Sequence, residues 1–167
     1  PPLFHGPTWD AGQMATQEIF HENLRLGPGV EGMLVDPGAH GNLAGGAIHD
    51  RLIAIMAKYG RKVEYKRSEV PHSVSGVGNG TQTTDIIATF PGAVKDSLGR
   101  VREMTFETPV IPNSNLPALW GNTSLNQHRA VMDMVNRELI LCSSGRVTVQ
   151  APEESWRLPM TLSQSGH

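Results

Sequence analysis

Leu34-Val35-Asp36-Pro37-Gly38-Ala39 is the segment of this chain best suited to chemistry. An acidic residue that ends an apolar run and precedes Pro-Gly sits on a tight turn beside a hydrophobic core. Desolvation there raises a carboxyl pKa, and a second carboxylate close by raises one of the pair further, so that two carboxyls hold one proton. Such a dyad draws a proton from water as general base and gives one to a carbonyl oxygen as general acid. Spacing alone also permits a plainer role, because Asp-Pro-Gly is a frequent turn.

Ser75-Gly76-Val77-Gly78-Asn79-Gly80 is the second notable segment. Its glycines suggest a phosphate loop, but β-prone Thr81–Ile87 follows instead of a helix, so the anion site of a helix N-terminus is missing. A glycine-rich tip between two strands predicts a hairpin able to close over a ligand. His40 and His49 stand apart, without a Cys/His/Asp cluster at metal-ligand spacing, so no metal or other cofactor is expected. Cys142 has no base placed beside it, and no Gly-Xaa-Ser-Xaa-Gly elbow occurs.

The elements that must position these residues are mostly strands. Eighteen glycines and twelve prolines are scattered through 167 residues, which predicts short strands joined by tight turns. Strands are expected over 17–26, 30–35, 62–66, 72–77, 81–90, 101–110, 129–134, 138–142 and 146–149, with turns at Gly27-Pro28-Gly29, Pro91-Gly92 and Ser97-Leu98-Gly99. One amphipathic helix is expected over about 47–59, from Ile48, Leu52, Ile55, Met56 and Tyr59 on one face, with Gly60 as its stop. A short helix over about 122–128 would start at Asn122 as N-cap.

The net charge of −2 offers neither a basic stripe for nucleic acid nor an acidic tail. No apolar run approaches the ~20 residues that span a bilayer, so no membrane partner is expected. A single cysteine fits a reducing, intracellular and cytoplasmic setting. The segment Pro1–Asp10 has no basic-then-apolar leader, and the proline start suggests a segment of a longer chain.

Taken in order, these segments resemble the retropepsins, the aspartic proteases of retroviruses and retrotransposons. Leu34-Val35-Asp36-Pro37-Gly38-Ala39 resembles their active-site loop, in which an apolar pair precedes Asp-Ser/Thr-Gly-Ala. The segment Ser75–Gly80 resembles their flap. Leu119-Trp120-Gly121-Asn122 resembles the apolar-apolar-Gly segment near the active site, and Ala130–Asp133 with Glu138–Leu141 resembles the closing strands. The similarity covers about 17–150 of a single domain over 1–167.

The resemblance implies a mainly β fold, a closed barrel with two helices. It implies a homodimeric endopeptidase in which each subunit supplies one Asp36 and an extended polypeptide substrate lies beneath flaps at Gly76, Val77, Gly78, Asn79 and Gly80. Only one matching Asp loop is present, which is what makes the dimer follow. Pro37 departs from the family pattern, since proline has neither the hydroxyl nor the backbone N–H of the usual Ser or Thr. A catalytically weak domain of the same fold that only binds peptide or dimerises is the alternative.

Overall fold

The computed structural model describes residues 31–75, 80–142, 144, 147–156 and 158–160. Along these the chain forms β1 (Met33–Asp36), β2 (Ala44–Gly45), α1 (Gly46–Lys58), β3 (Glu64–Val74), β4 (Gln82–Lys95), β5 (Val101–Ile111), β6 (Ala118–Gly121), α2 (Asn122–Gln127), β7 (Ala130–Asp133) and β8 (Glu138–Leu141). The fold is mainly β with two helices. The expected strand over 17–26 and the turn at Gly27-Pro28-Gly29 lie outside the described residues.

Strand alternation builds the central sheet. Ala88 and Phe90 of β4 pair with Thr108 and Phe106 of β5, and all four side chains are buried on one face. Ile48 of α1 is buried against that face, and Leu52, Ile53 and Met56 pack beside it. The helical stripe therefore runs through Ile53 rather than out to Tyr59, which is 77% exposed where the helix ends. Gly60, at φ +64°, donates its N–H to the Ala57 carbonyl while Arg61 donates to Met56, the paired bonds that close a helix on a left-handed residue.

The strands do not close into a barrel, contrary to the expectation from sequence. They form a β1-β6 pair, a sheet in the order β2-β5-β4-β3 and a β7-β8 pair. A barrel needs continuous pairing around its circumference. Among the described residues β3 has a neighbour on one side only, and β6 has, besides its pairing with β1, a single antiparallel bridge, Leu119 to Leu43.

Two expected breaks between strands also change. Pro91 and Gly92 form no turn but continue β4, paired with Thr105 and Met104. Because β3 ends opposite Thr89, Pro91 lies where β4 has only one neighbour and a missing N–H is tolerated. Pro71 likewise does not separate two strands: β3 runs through it with a register shift between Arg67 and His72, a bulge that absorbs the residue unable to donate. Among the described residues of the strand expected over 146–149, positions 147–149 adopt no strand.

The true turn after β4 is organised by Asp96. One carboxylate oxygen accepts the N–H groups of Leu98 (3.0 Å) and Arg100 (2.8 Å), and the other accepts Nε of Arg100 (2.7 Å) and Arg102 (3.3 Å). The backbone N–H of Arg100, with the two guanidinium groups, holds this carboxyl down from the ordinary 3.8 to about 2. A lowered folded-state pKa contributes stability that is present above the unfolded value and is lost as pH falls through the folded one. Asp96→Asn is therefore expected to lower the melting temperature at pH 7. The gap from the native chain should narrow between pH 4 and pH 2, and a gap that stayed constant across that range would refute the assignment.

Candidate active site

Parallel pairing of β1 with β6 sets Asp36 beside Gly121 and Val35 beside Trp120. After Asp36 the chain turns back, and Leu43 exchanges two backbone hydrogen bonds with Leu119: Leu119 N–H to Leu43 O (2.8 Å) and Leu43 N–H to Leu119 O (3.2 Å). β6 thus lies between β1 on one side and Leu43 on the other, and residues 37–42 wrap its C-terminal end. Trp120 is buried, with its ring edge-on to His128 at 5.6 Å.

The turn itself follows from residue types. Ala39 N–H donates to the Asp36 carbonyl (3.1 Å), a four-residue turn with aspartate first and proline second, the positions those residues favour. One carboxylate oxygen of Asp36, Oδ1, accepts the N–H of Gly38 (2.9 Å) and of Ala39 (3.3 Å). Proline at 37 removes neither donor. A Cβ at Gly38 would lie 3.2 Å from Oδ1, so the carboxylate would have to give by a few tenths of an ångström. Among the described residues no hydrogen bond reaches Oδ2.

Gly121, Asn122 and the loop after Asp36 are tied together through backbone. Asn122 N–H donates to Ala39 O (2.7 Å), and Thr123 donates to His40 O through both its N–H (2.9 Å) and its hydroxyl (2.7 Å). These carbonyls satisfy N–H groups that the first turn of α2 leaves without helical partners. The expected side-chain cap at Asn122 is absent: Gly121 is the N-cap and makes no side-chain bond, so the loop supplies the cap instead. No protein-family model matches the chain, and no curated protein matches it either. The chemistry of the site rests on its geometry alone.

Asp36 opens onto a cleft of about 910 Å³. Its floor is the Asp36 turn with Asn42, and its walls include Ser73 and Ser75 at the end of β3 and Glu107 of β5. The cleft is therefore bounded by the end of the β3-β4 hairpin, where the sequence placed a flap. Of that expected flap, Gly76, Val77, Gly78 and Asn79 lie outside the described residues. Gly80 is described, and its φ of +82° suits glycine. Glu107 is ion-paired with Lys66 at 2.8 Å.

Two residues of this site have no signature in the sequence. Asn42 donates to Glu107 O (2.9 Å) and accepts Gly121 N–H (3.0 Å), so one side-chain amide clamps the loop to both β5 and β6. His72, on the cleft wall, has its Nε2 buried with no hydrogen-bond partner among the described residues. Among the described residues, no group of three or more His, Cys, Asp or Glu is placed to hold a metal ion, and no helix is long and apolar enough to cross a membrane.

Proposed function

We propose that the chain is an aspartic endopeptidase of retropepsin-like fold, active as a homodimer that processes a polyprotein of retrotransposon type. The observation that carries this reading is a half-buried carboxylate, Asp36, on the lining of a cleft, with one oxygen held by two backbone N–H groups. The only other acid on that cleft among the described residues, Glu107, is neutralised by Lys66. One chain therefore offers one carboxylate for the chemistry, and a proton-sharing dyad requires Asp36 from a second copy.

In the dimer the two Asp36 carboxyls hold one proton and one water between them. The ionised member takes a proton from water as its oxygen attacks the peptide carbonyl, and the protonated member gives its proton to the carbonyl oxygen. Collapse of the resulting diol expels the amine, which takes the proton that the first Asp36 gained from water, while a diol hydroxyl gives its proton to the second Asp36; no covalent enzyme intermediate forms. An extended peptide would lie along the cleft, with alternate side chains directed to its two walls.

The reading is tested by binding. A peptide mimic carrying a hydroxyl in place of the scissile carbonyl is expected to raise the melting temperature, since a ligand at one hundred times its Kd stabilises the state it binds by ~2.7 kcal/mol. The shift should grow with protein concentration, because the inhibitor binds the dimer. No shift at saturating inhibitor, with a monomer in sedimentation at every concentration, would end the proposal. Pro37 favours a second reading, in which the same cleft binds peptide or supports dimerisation without catalysis; under it the native chain cleaves nothing.

A further inference from the structure

The sheet carries a second cavity, of about 550 Å³. Alternate residues of a strand face opposite ways. Ile87 lines the cleft, whereas Thr84 and Ile86 line this cavity, so β4 is a wall of both. Val110 and Pro112 close one end, and His49 of α1 and Tyr65 of β3 form the rim. The volume falls within the ~300–1,000 Å³ of small-molecule sites, and the lining is overwhelmingly apolar.

Its polar feature is a hydrogen-bonded chain of three side chains. Asp50 Oδ1 lies 3.0 Å from His49 Nδ1, and His49 Nε2 lies 2.9 Å from the Tyr65 hydroxyl. The ring of His49 is held edge-on to Phe90 and tilted to Tyr65, with both centroids at 5.8 Å. In the tautomer whose Nδ1–H donates to the Asp50 carboxylate, Nε2 accepts and the Tyr65 hydroxyl donates to it. That uses the only proton on Tyr65 Oη and leaves its lone pairs for an incoming donor. Burial, with the charge of Asp50, raises the Tyr65 pKa, so the phenol stays neutral. Lys66 and Arg67 also line the cavity, and each is paired with a carboxylate, Glu107 (2.8 Å) and Asp85 (2.9 Å).

We propose that this cavity is a second ligand site, for a small, neutral, flat apolar molecule that presents one hydrogen-bond donor to Tyr65 Oη. Rings fit its geometry, because His49 and Tyr65 line it as ring surfaces opposite the aliphatic Ile86, Val110 and Pro112. The site is independent of the proteolytic reading, since none of its residues belongs to the Asp36 turn.

The probe is indole, a planar apolar ring with one N–H, titrated into the isotope-labelled full chain carrying Asp36→Asn. Saturable amide shifts at Tyr65, Thr84, Ile86 and Val110 are expected. N-methylindole, the same ring without the donor, should bind about 2- to 10-fold more weakly. Tyr65→Phe should make the two probes equal, while a circular dichroism melt reports that the variant is folded. The proposal is overturned if no saturable shift occurs at these residues, if the shifts gather around the cleft instead, or if the two probes bind the Tyr65 chain equally.

Discussion

Asp36→Asn is expected to lower the rate of peptide cleavage by at least ~10²–10⁴-fold, the range that a positioned acid or base contributes. Asparagine keeps an oxygen where Oδ1 accepts from Gly38 and Ala39, so the turn that presents residue 36 should persist. Those bonds weaken when the acceptor loses its charge, which limits the change in stability to ~1–2 kcal/mol. What the amide cannot do is exchange a proton with water or a carbonyl at neutral pH. The measurement is hydrolysis of a quenched peptide library by native and variant chains at equal concentration, with a thermal melt of each. Undiminished cleavage by the variant would remove Asp36 from the mechanism. A native chain that binds peptides in the library yet cleaves none would favour the non-catalytic reading.

Local sequence held much of this architecture, because its signals act over a few residues. The apolar period of α1 and the glycine that ends it, the apolar run into Asp36, and alternation in β4 and β5 all express backbone geometry at short range. Prolines misled where tertiary context decided. Pro91 and Pro71 look like breaks, but one lies where β4 has a single neighbour and the other beside a bulge, and neither position is visible from neighbouring residues. Closure into a barrel was not legible either, since it depends on edges meeting across the whole chain, and β3 keeps one edge unpaired.

At the candidate site the division is the same. Asp36, Gly38 and Ala39 were legible because the turn is made by four consecutive residues. Asn42 was not, because its partners Glu107 and Gly121 are distant in sequence and an isolated asparagine after a glycine has many other uses. Trp120-Gly121-Asn122 stood out only through its likeness to a family segment. The structure supplies a physical reason for the glycine: it is the point where two backbone segments come into contact.

That contact makes Gly121→Ala the substitution with the largest expected effect on the fold. A Cβ at this position would overlap the carbonyl group of Gly41 and come within 2.9 Å of Ala39 O. All of these are backbone atoms, so no side chain can swing aside to relieve the clash. The loop would have to lift from β6, breaking the bonds from Asn122 N–H to Ala39 O and from Thr123 to His40 O. Overpacking costs ~1–3 kcal/mol and each of the three lost hydrogen bonds ~1 kcal/mol, together ~4–6 kcal/mol. Against a typical domain stability of ~5–15 kcal/mol that is a large share, and it corresponds to a fall in melting temperature of roughly 8–24 °C. Gly92→Ala is the control, because a Cβ there meets nothing within 4 Å and should change stability by no more than ~0.5 kcal/mol. Equal melting temperatures for the two variants would show that the loop and β6 are not in this contact. With it would go the arrangement that holds the Asp36 turn against the start of α2, since the same contact underlies both.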